Sequence, residues 1–278
     1  MTLLGVETPF EDGGALRRWL LEVFVFVNLA FLAVDVYMAH SVNDFAVEIE
    51  WLPVYFSAIA PLFLLPGLVR RRWQEGFDRW AGLIVGTCSL AVGVGGMFLH
   101  LKSSFFAHQT LISLVYAAPF VAPLSYAGVG LLLILNRTEH DDWGRWILFL
   151  ALAGWIGNFG LSLLDHAQNG FFYPSEWISV GAAGFAVAFL GASFFFSDDR
   201  PLLQWTVGVM GIQVVVGVVG AGLHLAGSLA SSGPSLWYKV IFGAPVFAPL
   251  LFANLAALAA IGLWEQLDAS PRSAPSES

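Results

Sequence analysis

Two stretches of the chain carry the same combination of ionisable and aromatic side chains. His40 to Val54 reads HSVNDFAVEIEWLPV, and 126 residues further on His166 to Val180 reads HAQNGFFYPSEWISV. Without a gap the two share His40/His166, Asn43/Asn169, Phe45/Phe171, Glu50/Glu176, Trp51/Trp177 and Val54/Val180. Imidazole with carboxylate and no thiolate is a ligand set suited to zinc, iron or copper(II). Glu50 and Glu176 are expected as ligands or as proton acceptors in catalysis. Asn43 and Asn169, one turn past their histidines, are expected to fix the ring tautomer by hydrogen bonding. Asp165 adjoins His166 and is a further candidate to orient it. Trp51 and Trp177 fit an interfacial aromatic belt and receive no chemistry.

Two more histidines join the set. His100 and His224 follow glycines at matching distances, Gly93 and Gly96 before the first, Gly217 and Gly220 before the second. Positions i, i−4 and i−7 share a helical face, so the glycines admit a neighbouring helix directly beneath each histidine. His40, His100, His166, His224, Glu50 and Glu176 therefore form an expected metal set of one or two ions. The paired prolines of YAAPFVAPL (Tyr116 to Leu124) and FGAPVFAPL (Phe242 to Leu250) remove backbone donors, so the carbonyls they free need other partners.

The elements that position these residues are membrane spans. Only 12% of the 278 residues are charged and 58% are hydrophobic, with a mean hydropathy of +0.74; a soluble domain carries roughly twice that charged fraction. About 20 apolar residues cross the hydrocarbon. Eight runs meet that length, at 18–39, 51–69, 80–101, 108–135, 145–165, 176–196, 202–226 and 236–263. The fold class expected is all-α: eight transmembrane helices as two tandem four-helix repeats. Four spans per repeat preserve orientation, so the repeats are expected to be related by a pseudo-two-fold axis along the membrane normal. The organisation expected is an N-terminal segment at 1–16, repeats at 17–137 and 138–264, and a disordered Pro/Ser-rich tail at 265–278. No cleavable signal peptide is visible in the first 16 residues.

Arginines at 17, 18, 70, 71, 72, 79, 137, 145, 200 and 272 all fall at one end of the spans. Both termini are therefore expected in the cytoplasm of a plasma or bacterial inner membrane. The His/Glu set then stands at the outer face. Ionisable groups at membrane depth are costly and usually face a protein interior or wet cavity.

Several readings compete. A histidine at a helix end is ordinarily an interfacial polar residue, and four at equivalent positions are harder to explain that way. The reading favoured is a non-haem metal centre doing oxidoreductase chemistry on a small or lipid-soluble substrate. Haem b is the competing cofactor, since two histidines on separate helices can ligate it. A transporter or channel, or an accessory subunit that carries metal, are the rival classes, and a homo-oligomer or partner membrane subunit is compatible with each. The net charge of −8 and the lack of a basic stripe argue against nucleic acid. Cys88, the single cysteine, supports neither a disulfide framework nor a thiolate cage. His108 has no counterpart and reads as an accessory or loop residue, and His140 as a solvated loop residue. Asp35, five residues before His40, points about 140° away round a helix. Glu22, Asn28, Asn158, Gln213 and Asn254 are expected to serve helix–helix hydrogen bonds.

Overall fold

The long runs of Leu, Val, Ala and Phe fold as helices because in lipid every backbone amide must be satisfied within its own segment. The computed structural model describes residues 2–3, 6–7, 13–103, 105–138 and 141–270. His140 and the tail beyond Ser270 lie outside the described residues. A minimal antiparallel pair, β1 (Thr2–Leu3) with β2 (Val6–Glu7), precedes α1 (Gly13–Ser41). A 3-10 turn at Glu48–Glu50 leads into α2 (Trp51–Arg70), followed by α3 (Gly76–Lys102), α4 (Phe105–His108), α5 (Leu111–Val115) and α6 (Leu124–Arg137). Next come α7 (Trp143–Gln168), α8 (Glu176–Phe195), α9 (Arg200–Ala230), α10 (Leu236–Phe242) and α11 (Leu250–Ala269).

Among the described residues seven helices are long and apolar enough to cross a membrane: α1, α2 with its leading turn, α3, α7, α8, α9 and α11. This is the architecture of a multi-pass helical membrane protein. Two runs expected as continuous helices are interrupted. The run 108–135 is divided into α5 and the 14-residue α6, and 236–263 into α10 and α11. The cause is the Pro-x3-Pro spacing. Pro123 has no N–H to give the carbonyl four residues earlier, and that carbonyl belongs to Pro119; Pro249 fails Pro245 in the same way. Each freed carbonyl takes a tighter turn bond instead, from Ala122 N–H (3.1 Å) and Ala248 N–H (3.3 Å). Each retains a lone pair.

The chain forms two compact units, residues 1–140 with 220–248, and 141–219 with 249–278. The segment Gly220–Ala248 thus groups with the first unit rather than with the second repeat expected from the sequence. In the first unit α2 packs on α1 and α3, and α6 lies against α3 and α1. The glycine face works as expected: a Cβ on Gly93 would meet the Ala127 backbone N at 2.5 Å and the Pro123 carbonyl at 2.9 Å. In the second unit α7 packs on α8 and α11, and a Cβ on Gly217 would meet the Pro249 carbonyl at 2.9 Å.

The first unit buries charge. Arg137, at the end of α6, forks onto Glu22 of α1, one guanidinium nitrogen in contact with Oε1 and the other 3.0 Å from Oε2. Both side chains are almost wholly buried, and Asn136 Nδ2 adds a bond to Glu22 Oε1 at 2.7 Å. Arg137 is thus an interior residue rather than the loop arginine expected. Above it Tyr126 and Ser57 share a buried hydroxyl–hydroxyl bond of 2.5 Å. At an offset of 126 the second unit has Leu148, Gly262 and Leu263 for the ionic cluster and Ala183 and Phe252 for the hydroxyl pair, all apolar.

Candidate functional site

The repeated stretch folds into the same turn in both copies. Phe45 N–H donates to the His40 carbonyl (3.2 Å) and Phe171 N–H to that of His166 (3.0 Å). Asp44 and Phe45 adopt left-handed φ values of 55° and 52°, Gly170 and Phe171 values of 67° and 52°. This conformation folds Phe45 back onto Trp51, with ring centroids 3.9 Å apart and planes at 12°, and Phe171 onto Trp177 at 3.9 Å and 8°. The tryptophans therefore serve as platforms that pin the turn. Sequence reasoning gave the phenylalanines no role, although the six-residue Phe–Trp spacing is itself repeated.

All four histidines engage a backbone carbonyl through Nδ1. His40 meets Glu50 O (3.2 Å), His100 meets Pro119 O (3.0 Å), His166 meets Ser162 O (2.7 Å) and His224 meets Pro245 O (2.9 Å). A carbonyl can only accept, so Nδ1 carries a proton and Nε2 is left outside these bonds. His100 and His224 thereby satisfy the carbonyls freed by Pro123 and Pro249. Main-chain carbonyls, not the Asn43 and Asn169 side chains, take the Nδ1 position of these rings. Asn43 Nδ2 donates to Glu50 Oε1 at 3.2 Å, so it orients the carboxylate rather than the ring. The Asn169 backbone N–H caps the His166 carbonyl at 3.2 Å, and the side chain of Ser162 bonds Ser179 across α7 and α8 at 2.9 Å.

Within the first unit the rings of His40 and His100 lie 6.2 Å apart between centroids, at 45°. Two imidazoles sharing one ion through Nε2, at about 2.0–2.1 Å each, have ring centres roughly 5 to 6.5 Å apart. Glu50 lies beside His40, its main-chain oxygen on the ring and its carboxylate on Asn43. One oxygen of that carboxylate, Oε2, is buried with no donor, and the same holds for Glu176 Oε2, whose Oε1 accepts Tyr173 N–H at 3.3 Å. Buried carboxylate oxygens are ordinarily satisfied.

His40, Glu50, His100 and His224 belong to the first compact unit, and His166 and Glu176 to the second. Among the described residues no three His, Cys, Asp or Glu side chains are grouped closely enough to hold a metal ion. The structure brings together the pair His40–His100 with Glu50 and Asn43. His108 ends α4 and is exposed. Of the polar span residues, Gln213 Nε2 crosses from α9 to the Ala182 carbonyl of α8 at 3.0 Å, whereas Asn28 Nδ2 bonds its own helix at Phe24 O (2.8 Å). In comparisons with family models, curated proteins and solved structures, the chain matches none.

Proposed function

We propose that the chain is an integral membrane metalloprotein of eight spans, built as two tandem four-helix repeats, with a His/Glu non-haem centre at the outer face. His40 and His100 are the imidazole ligands and Glu50 the carboxylate of a centre of one or two ions; His166, His224 and Glu176 repeat these residue types later in the chain. The observation that carries the reading is the approach of two imidazoles, each held through Nδ1 by main chain and with ring centroids 6.2 Å apart, beside an orphaned buried oxygen on Glu50. A cation is the partner such an oxygen lacks. Copper, iron and zinc accept this ligand set, and an open position would suit Lewis-acid or oxygen chemistry on a small or lipid-soluble substrate.

The test is elemental analysis of detergent-purified protein, with absorption spectra before and after reduction. Near-stoichiometric copper, iron or zinc is expected, lost in His40→Ala and His100→Ala and retained in His108→Ala. A Soret band would replace the bare ion with haem b. Protein that stays metal-free after growth in supplemented medium, and binds none on titration, overturns the reading. That result would favour a transporter, for which the two proline-interrupted helices are a recurrent device.

A further inference from the structure

We propose that Pro123 is a positioning residue of the candidate centre, and Pro249 its counterpart. Each withholds one N–H from its helical run, and the main-chain oxygen left over aims an imidazole, His100 in one case and His224 in the other. That His100 is a ligand rests on the metal reading; what aims its ring rests on hydrogen bonds alone.

The backbone around Pro123 is wound in tight turns. Ala122 N–H reaches Pro119 O (3.1 Å), Leu124 N–H reaches Val121 O (2.9 Å) and Ser125 N–H reaches Ala122 O (3.1 Å). His100 Nδ1 donates to the same Pro119 oxygen at 3.0 Å. An alanine at 123 would supply the missing N–H, four residues on from Pro119. Pro119 would then stand at the first position of a longer α6, where proline is well tolerated. In that helix the Pro119 carbonyl would lie along the axis, directed at residue 123 and away from α3. The ring at 123 keeps this oxygen turned toward the histidine.

The break is itself held against α3. Gly96, four residues before His100, faces the Pro123 ring: a Cβ added there would meet Pro123 Cβ at 2.9 Å. Gly93 faces the Pro123 carbonyl, and Ser103, beyond His100, accepts Ala118 N–H at 3.1 Å. The oxygen is thus fixed on both sides of the bond it makes with the imidazole. A plain alternative gives the histidine only the task of satisfying a freed carbonyl. That carbonyl already has Ala122 N–H, and Pro245 O has Ala248 N–H at 3.3 Å. A serine also suffices for such a bond, since Ser228 donates to Ala244 O at 3.1 Å. The connecting loops differ as well: 19 residues separate His100 from Pro119, and 21 separate His224 from Pro245. The same bond recurs across loops of unequal length, so a copied loop does not account for it.

The experiment uses purified full-length protein in detergent, its histidines labelled with nitrogen-15. It follows thermal unfolding, the ring-nitrogen signals and zinc titration. Pro123→Ala is expected to unfold close to the parent's midpoint and to lose the signature of an Nδ1–carbonyl bond at His100. Its zinc affinity is expected to fall by about 10–100-fold, as when a ligand loses its orienting partner. Pro249→Ala is expected to lose the same signature at His224. Pro61→Ala, within α2, is expected to keep parental ring signals and zinc affinity. An unchanged His100 signature in Pro123→Ala, or a changed one with parental zinc affinity, would overturn the positioning role. So would equal losses in Pro61→Ala, which would mean a general response to removing proline. Midpoints far below the parent's in both Pro123→Ala and Pro249→Ala would make the prolines structural and overturn it too. A parent that binds no zinc overturns the metal reading; the ring signals then still decide whether Pro123 aims His100.

Discussion

Each imidazole of the repeated set bonds the main chain through Nδ1 and leaves Nε2 outside those bonds, so substitutions separate folding from the proposed ligation. His100→Ala removes the donor to Pro119 O (3.0 Å) as well as the lone pair. It is expected to lower stability by about 0.5–1.5 kcal/mol, the net worth of one hydrogen bond, since Ala122 N–H still reaches that carbonyl, and to abolish metal uptake at the proposed site. His100→Asn can still donate to that carbonyl, so it is expected to keep most of the stability while losing the metal. Thermal unfolding and metal stoichiometry, measured on both variants, check this; equal metal content in His100→Asn and the parent would remove His100 from the ligand set. Asn43→Ala frees Glu50 Oε1 from its 3.2 Å bond, and a supporting bond of this kind is worth about 10–100-fold in metal affinity. The ion pair of Glu22 and Arg137 invites a different experiment. Removing one partner strands a buried charge and is expected to cost about 3–5 kcal/mol, whereas replacing both by apolar groups is often neutral. Leu148 and Leu263 fill the corresponding places in the second unit with no exposure. The double variant Glu22→Leu/Arg137→Leu is therefore expected to unfold near the parent's temperature, and Glu22→Leu alone well below it.

Two elements carry the candidate site, the turn after the histidine and the interrupted helix. The turn demands a left-handed residue directly before the phenylalanine, filled by Asp44 (φ 55°) in one copy and Gly170 (φ 67°) in the other. Asp44→Gly is expected to be neutral or slightly stabilising in thermal unfolding. Gly170→Val is expected to cost about 1–2 kcal/mol, because a Cβ crowds the following carbonyl in this conformation. The interrupted helix depends on close approach. Gly93→Ala would drive a methyl into the Ala127 amide and is expected to destabilise by about 1–3 kcal/mol. Gly95, two residues on, has nothing within 4 Å of an added Cβ, so Gly95→Ala is expected to be harmless or to gain about 0.5–1 kcal/mol in helix propensity. If both glycines respond alike, the packing of α3 on the α6 segment is not what selects glycine.

For the whole molecule, the seven long apolar helices require lipid as solvent, which is why large side chains such as Leu62 (65% exposed) and Val69 (71%) lie on the surface. In the eight-span reading the interrupted run of α5 and α6 completes the count, since α11 is already among the seven, and both termini lie on one side. Reporter fusions at the N-terminus and after Ala269 are expected to report the same compartment, and labels near Asp44 and Asn169 the opposite one. Termini on opposite sides would mean that one interrupted run does not cross. The two units also differ in kind. The first buries an ion pair and a Tyr–Ser hydroxyl pair, and the second meets the same offsets with Leu, Phe and Ala.

The helical membrane class was legible from the chain alone, because the length of an apolar run is a one-dimensional property set by bilayer thickness. So was the repeated turn, since six shared residues at one offset recur whatever the packing. The need for a partner at the proline-freed carbonyls also followed from local covalent chemistry. That the partner is His100 or His224 depended on which helix lies alongside, and no spacing in the sequence encodes it. Asn43 bonding Glu50 rather than His40, Arg137 turning inward to Glu22, and Gly220–Ala248 grouping with the first unit are likewise decisions of tertiary packing. A side chain at a helix end reaches a sphere of neighbours. Only the folded arrangement of α1, α3 and α6 determines which of them lies within 3 Å.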